Sequence, residues 1–258
     1  MGFMKIATWN VNSLRVRLPH LLDWLVRHEP DVVALQETKT QDHDFPVDDI
    51  QQAGYQVVFS GQKTFNGVAI LAKIQPTEVV TDVDSLVDVQ RRILAATVNG
   101  VRVINLYVPN GSAVGSEKYD YKLNWFEHVT RFIHAQMKQY SKLIVLGDFN
   151  VAPHDNDVHD PAAWEGHVLV SDKERAALQS MIKLGLSDVF RQFEQAPDTF
   201  SWWDYRGGNF WKNKGLRIDL ILATKPLAET CQSCEVDTRP RKLKRPSDHA
   251  PVMAVFRA

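Results

Sequence analysis

Gly147-Asp148-Phe149-Asn150 follows a run of β-branched and leucine side chains, Lys142 to Leu146, that reads as a short buried strand. The glycine is expected to end that strand in a turn, with Asp148 and Asn150 at its tip. A carboxylate and an amide presented there can orient a water and hydrogen-bond a charged oxygen, as hydrolysis of an anionic ester requires. An isolated Gly-Asp-x-Asn is more often an Asx turn capping the next segment. Its weight here comes from what else the chain places at strand ends.

Those companions recur along the whole chain. Asn10 and Asn12 follow a strand from Lys5 to Trp9, and Glu37 closes a strand that begins at Asp31. Asp219 lies among the apolar residues of a strand from Leu216 to Leu222, where an acid is disfavoured and needs a specific partner. Asp248 and His249 open the last strand. Hard oxygen donors without a cluster of His or Cys point to Mg²⁺ or Mn²⁺ rather than zinc. Mg²⁺ characteristically takes one or two carboxylates, with water and substrate phosphate completing its shell. The chemistry these residues share is hydrolysis of phosphate esters.

Two styles of supersecondary structure must hold these residues in place. An amphipathic helix is expected from about Pro19 to His28, with Leu21, Leu22, Leu25 and Val26 inward and Pro19 in its first turn. After a short helical stretch near Val47 to Ala53 come strands at Tyr55–Gly61, Gly67–Lys73, Glu78–Asp82, Ile93–Val98 and Arg102–Tyr107. Several are joined by turns rich in Gly, Asn or Pro with no helix between, which argues for antiparallel pairing. A long helix from Lys122 to Tyr140 carries Leu123, Phe126, Val129, Ile133, Met137 and Tyr140 on one stripe. A capping box, Ser171 to Glu174, opens another helix with Leu178, Met181 and Ile182 inward. Mixed β-sheets packed face to face with helices outside are the simplest product.

Strand-like runs continue from residue 4 to residue 257 without a low-complexity linker, so residues 1–258 read as one domain. A chain this long buries enough surface to need neither disulfide nor metal staple. Cys231 and Cys234 form a lone Cys-x-x-Cys without a second pair or nearby His, and read as two thiols in a reducing compartment. The start of the chain lacks the apolar core of a signal peptide, and no apolar run is long enough to span a bilayer, so a cytoplasmic protein is expected. The net charge of −1 argues against indiscriminate polyanion binding. Any nucleic-acid contact must come from local patches. One interleaves Arg206, Lys212, Lys214 and Arg217 with Trp202, Trp203, Tyr205, Phe210 and Trp211. The other gathers Arg239, Arg241, Lys242, Lys244 and Arg245 in a Pro-bounded loop.

Seven stretches in order, Trp9-Asn10-Val11-Asn12-Ser13-Leu14-Arg15, Leu35-Gln36-Glu37-Thr38-Lys39, Tyr107-Val108-Pro109-Asn110-Gly111, Gly147-Asp148-Phe149-Asn150, Ser201-Trp202-Trp203-Asp204-Tyr205-Arg206, Leu216-Arg217-Ile218-Asp219 and Ser247-Asp248-His249-Ala250-Pro251, resemble the motifs of the exonuclease III family of DNA repair nucleases. That family belongs to the endonuclease/exonuclease/phosphatase superfamily. Residues shared across the superfamily also fit phosphoinositide phosphatases or sphingomyelinases, while the Trp-rich segment and the Tyr107 motif favour the nucleases. A catalytically silent DNA-binding module is the remaining alternative, and none of the acids it would have lost is missing.

The resemblance implies a four-layer αββα sandwich of two mixed β-sheets flanked by helices, with the site at one end of the sheets. It makes Glu37 the principal metal carboxylate, in a shell drawn from Asn10, Glu37, Asp148, Asn150, Asp248 and His249. Asp148 orients or deprotonates water, Asn150 holds that aspartate and a phosphate oxygen, Asp219 pairs with His249, and Tyr107 reaches the phosphate or the leaving oxygen. An acid beside His249 raises its pKa and favours the cation that stabilises phosphorane-like charge. Asn12, Arg15, His167, Trp202, Leu216 and Ile218 are the implied substrate contacts. The implied substrate is double-stranded DNA with 3′ ends, nicks, gaps or abasic sites, bound by a monomer. Cleavage is 3′–5′ exonucleolytic with 3′-phosphatase and phosphodiesterase action, and predominant abasic-site incision is the alternative. Trp202, Leu216 and Ile218 line the family's pocket for a flipped-out baseless sugar, bordered here by Trp164-Glu165-Gly166-His167-Val168. His167 is either a solvated loop residue or a side chain that crowds this pocket and tilts the enzyme toward 3′ ends.

Overall fold

The computed structural model describes residues 2–86 and 88–257. Among these residues twelve strands form two six-stranded sheets. The first sheet has the order β11(Cys231–Val236), β12(Val252–Arg257), β1(Phe3–Asn10), β2(Val32–Gln36), β4(Val68–Ala72), β3(Gln56–Ser60). The second runs β5(Thr77–Val80), β6(Ile93–Val98), β7(Val101–Tyr107), β8(Leu143–Asp148), β10(Asp219–Thr224), β9(Leu186–Asp188). Each sheet has one parallel pair, β1 with β2 and β7 with β8, among antiparallel neighbours. The helices are α1(Leu14–His28), α2(Val47–Gln52), α3(Glu117–Gln139), α4(Pro161–Trp164), α5(Asp172–Ile182) and α6(Lys225–Ala228).

Strand alternation sorts the side chains into three buried layers. Ile6 of β1, Ile70 of β4, Val103 of β7, and Ile144 and Leu146 of β8 fill the space between the sheets. Their neighbours point the other way. Ala7, Trp9, Val33 and Leu35 pack beneath Leu21, Trp24 and Leu25 of α1 and Ile50 of α2. Val145 and Leu222 pack beneath Trp125, Phe126, Val129 and Ile133 of α3 and Leu178 and Met181 of α5. The result is the expected four-layer αββα sandwich. Two amides tie its middle layers together: Asn105 of β7 donates to the carbonyls of Leu35 and Ala69, each at 2.9 Å, and accepts from Gln36 at 2.8 Å.

Register brings the chemistry to one edge. Asn10 pairs with Gln36, the residue before Glu37, and Tyr107 pairs with Asp148, which in turn faces Asp219 at the start of β10. Val252 of β12 faces Thr8, so the Asp248–His249 turn arrives beside the end of β1. This is the edge where open α/β sheets present their sites.

Several sequence-based boundaries move. β8 runs through Gly147 to Asp148 rather than stopping at the glycine. A Cβ on Gly147 would lie 1.9 Å from the Leu106 carbonyl oxygen, so the strand continues because this residue has none. Asp219 begins β10 instead of lying inside a strand. α1 starts at Leu14, five residues before Pro19, because Ser13 and Leu14 donate to the carbonyls of Glu37 and Thr38 at 2.8 and 2.9 Å. Its buried face uses Trp24, while Val26 is exposed. α3 starts at Glu117 under a Ser116 cap, and Trp125 lies deeper than Leu123. Cys231 and Cys234 are free and buried, and burial pushes the Cys231 thiol up to about 11.

Candidate active site

Asn10 joins the two sheets at their common edge. Its Nδ2 donates to Glu37 Oε1 from the first sheet and to Asp148 Oδ2 from the second, both at 2.9 Å. Asn150 holds Asp148 from the other side, through its backbone amide at 2.9 Å and its side-chain amide at 3.2 Å. Asn110 donates to Asn150 Oδ1 at 3.1 Å. Glu37 and Asn150 have positive φ, 50° and 48°, a conformation costing about 1–3 kcal/mol for a constrained non-glycine residue. The network of donors around them holds that geometry.

His249 faces carboxylates on both ring nitrogens. Nδ1 lies 2.9 Å from Asp219 Oδ2, and Nε2 lies 3.7 Å from Asp148 Oδ2. Ser201 fixes the pair from behind, donating to Asp219 Oδ2 at 2.6 Å and accepting the amides of Ile218 and Asp219. Burial opposes the imidazolium, but Asp219, then Asp148 and Asp248, outweigh it and raise His249 to about 10. Burial pushes the Asp148 carboxyl up to about 7, with Asp219 adding to the rise, while His249, Asn10 and Asn150 restrain it. Burial, with the Glu37 charge beside it, raises Tyr107 well above the usual phenol range and keeps its hydroxyl protonated.

Glu37, Asp148 and His249 bring one potential ligand atom each within 4.8 Å of one another. With the imidazole protonated, the carboxylates are the donors left, a hard-oxygen set suited to a divalent cation such as Mg²⁺ or Mn²⁺. Lys39 Nζ stands 3.0 Å from Glu37 Oε2, so this carboxylate already attracts positive charge. Asp248 is not part of that trio. Its two oxygens accept from Asn12 Nδ2 at 2.8 Å and Trp202 Nε1 at 3.0 Å. Burial opposes its ionisation, but His249 and these two donors hold the carboxyl below its ordinary range.

Leu216 and Ile218 are buried in an apolar cluster that the half-buried Trp202, Val168 and Trp164 cover, on the flank where Trp202 meets Asp248, so of the three expected pocket residues only Trp202 presents surface. His167 is exposed beside it, its ring 6.3 Å from that of Trp164. Arg15 is exposed and shares a cavity with Lys39 and Lys63. Two residues of the basic patches face inward instead. Arg217 is buried in ion pairs with Asp157 and Asp188. Arg241 stacks among Trp203, Tyr205 and Phe210 and donates to the Ser247 carbonyl. Each cation comes from a short irregular segment whose apolar or aromatic neighbours cover it, which charge spacing alone does not reveal. Ser201 was within a recognised motif, yet a serine before tryptophan carries no distinctive sign of its contact with Asp219.

The fold and this cluster of acid, amide and imidazolium define a phosphoesterase-type site at the edge of an αββα sandwich. Residues 7–249 match the Endonuclease/Exonuclease/phosphatase family, and the chain belongs to that family. It is similar to exodeoxyribonuclease III of Haemophilus influenzae, with 35% identity over 271 residues covering 98% of this chain and 100% of the relative. Among solved structures it is similar to a 3′ phosphatase, NExo, from Neisseria bound to a product DNA hairpin, at 46% identity and TM-score 0.97, covering 99% and 100% of the two chains. An AP endonuclease from Archaeoglobus fulgidus superposes with TM-score 0.95 at 41% identity, over 99% and 100% of the two chains.

Proposed function

We propose that this protein is a DNA repair nuclease that hydrolyses phosphate esters at 3′ ends of duplex DNA, with incision at abasic sites as a second activity of the same residues. The observation that carries this reading is the placement of Asp148, Asn150 and the Asp219-supported His249 around one point that Glu37 also faces. The three similar proteins named above are an exodeoxyribonuclease, a 3′ phosphatase and an AP endonuclease, and their names favour DNA over a lipid phosphodiester.

Asp148 is the base: its carboxylate is buried, fixed by three amide donors, and raised toward a neutral pKa suited to taking a proton from water. His249, held charged by Asp219, offers Nε2–H to the oxygen on which negative charge grows. Tyr107 supplies a protonated hydroxyl toward the phosphate or the departing 3′ oxygen. Mg²⁺ or Mn²⁺, held by Glu37 and Asp148 with Asn10 beside them, would add positive charge against the phosphate. Asn12, Arg15 and Lys39 would meet the DNA backbone, and Trp202, lying over the buried Leu216 and Ile218, would meet a sugar turned out of the duplex.

His167 sets the balance between the two activities. A flipped sugar must enter beside Trp202, and the His167 ring, exposed next to Trp164 of the same cluster, would crowd that entry and remove contacts that offset about a few kcal/mol of unstacking. A frayed 3′ end avoids this cost. Time courses with Mg²⁺ on duplexes carrying a nick with a 3′ phosphate, a recessed 3′ end or one internal abasic analogue test the reading. Both 3′ substrates should be cut faster than the internal one, and His167→Gly should raise internal incision selectively. Release of phosphate from inositol lipids without DNA cleavage would overturn the assignment. An unchanged substrate ratio in the glycine variant would reduce His167 to an ordinary loop residue.

A further inference from the structure

Beneath the loops that carry Asn110 and Asn150 lies an ion pair that the chemistry above does not use. Lys122 stands four residues before Phe126 on the inward face of α3, and Glu174 is in the first turn of α5. Both side chains have 0% exposure. Lys122 Nζ donates to Glu174 Oε1 at 2.5 Å, to the Asn150 carbonyl at 2.7 Å and to the Asn110 carbonyl at 3.1 Å. Glu174 also accepts the Leu169 amide at 3.0 Å, and the amide and hydroxyl of Ser171 at 3.2 and 2.5 Å. Tyr119 closes the network through a 2.6 Å hydrogen bond with Ser171.

Stability is a weak reason for such a pair. Removing two charges from water costs several kcal/mol, and well-packed apolar side chains of similar volume are often as stable or better. What an ammonium adds is three donors, all of them used here. Two meet carbonyls of the loops that carry site amides. The positive φ of Asn150 accompanies a geometry in which its carbonyl meets Lys122 while its side chain meets Asp148. The chain of contacts runs from Lys122 through Asn150 to the carboxylate that takes the proton. At its other end, Glu174 holds Leu169, itself at φ 78°, next to Val168 of the sugar-pocket cluster.

We propose that Lys122, with Glu174 as its counter-ion, is a positioning residue that fixes the Asn150 amide against Asp148, with the Asn110 amide behind it, and ties both loops to the apolar cluster beneath Trp202. This rests on the reading of the site as a DNA phosphoesterase, which the wild-type protein tests first on a duplex with a 3′ phosphate. The variant Lys122→Met/Glu174→Gln removes both charges together and leaves no lone buried ion. It should unfold cooperatively, bind the same duplex with nearly unchanged Kd, and lose about 10–100-fold in single-turnover rate, the scale of a small misplacement of catalytic groups. Side-chain amide resonances of Asn110 and Asn150 should shift or broaden in the same variant, a readout independent of turnover. Arg102→Met removes another buried cation, one bonded to Gln136 of α3 and the Glu78 carbonyl, and should lower stability while leaving the rate of the folded protein unchanged. Should the double variant not fold, Lys122→Gln/Glu174→Gln carries the same comparison. A folded charge-free variant with wild-type rate and undisturbed amide signals would overturn the proposal, as would equal slowing by Arg102→Met.

Discussion

Asp148 and His249 share one oxygen-lined space, and their opposite demands give the reaction a pH signature. With Asp148 as the proposed base and His249 as the proposed electrostatic stabiliser, the active form would have Asp148 charged and His249 cationic. Rate should therefore rise with pH through about 7 and fall through about 10, as apparent constants of the pair rather than of either group alone. Asp219 is the largest influence favouring the His249 cation. Asp219→Asn removes it, and the alkaline limb of a kcat/KM profile should move down by at least about one unit. A limb that stays in place would mean that the Asp219 charge does not set the imidazole. Glu37 poses the simpler question. Glu37→Ala should lose at least about 100-fold of the Mg²⁺-dependent rate, since charge stabilisation worth several kcal/mol is removed. Its thermal unfolding should change little, because folding relies on the sandwich core. Wild-type turnover at limiting Mg²⁺ would exclude Glu37 as a ligand.

At the scale of elements, sequence periodicity located most strands because alternation and β-branched content are local properties, but it did not show the three-residue β9 or the polar-rich edge strand β11; register places the ends of the central strands together. Helix starts were less legible. α1 begins before its proline because the Glu37–Thr38 loop accepts its first amides, and that loop is remote in sequence. The polar members of buried strands carry no local sign of their role: Gln36 and Asn105 lie within the strands expected at Asp31–Glu37 and Arg102–Tyr107, yet they lock one sheet to the other. Lys122 sits on the same helical stripe as Phe126 and Val129, which was a sign of a buried partner, but only the fold shows that partner to be Glu174. Gly147 is the tightest backbone constraint beside the site. Its φ of 144° and its contact with the Leu106 backbone leave no room for a side chain one residue before Asp148. Gly147→Ala should cost about 1–3 kcal/mol from backbone conformation alone, and more from the displaced strand. Activity should fall further than the loss of folded protein explains. Rates normalised to the folded fraction by circular dichroism decide this, and a fully active folded fraction would show that β7 yields without moving Asp148.

Across the whole molecule a net charge of −1 has to coexist with binding to a polyanion, and the distribution of charge resolves the conflict. Membrane association offers no alternative through helices, since no described helix is long and apolar enough to cross a bilayer. The basic loop before Asp248 divides its labour in a way that charge counting could not reveal. Arg241 is buried against three aromatic rings and ties the loop to Ser247, whose hydroxyl donates to the Asn10 carbonyl at 2.6 Å. Arg239 is paired with Asp237 at 2.8 Å. Lys242, Lys244 and Arg245 are exposed and have no ion pair among the described residues. The anchored arginine thus holds three cations without an ion pair next to the Asp248–His249 turn. Replacing Lys242, Lys244 and Arg245 with Ala should weaken binding to all duplex sequences alike and flatten the plot of log affinity against log salt by up to about 0.9 per lost phosphate contact. Arg241→Ala should instead lower thermal stability and disturb turnover through Ser247 and Asn10. Equilibrium binding of one duplex at several salt concentrations separates the two roles: an unchanged slope in the triple variant would mean that this loop faces away from DNA, and the backbone contacts would then fall to Arg15, Lys39 and Lys63 on the opposite flank of Asn12.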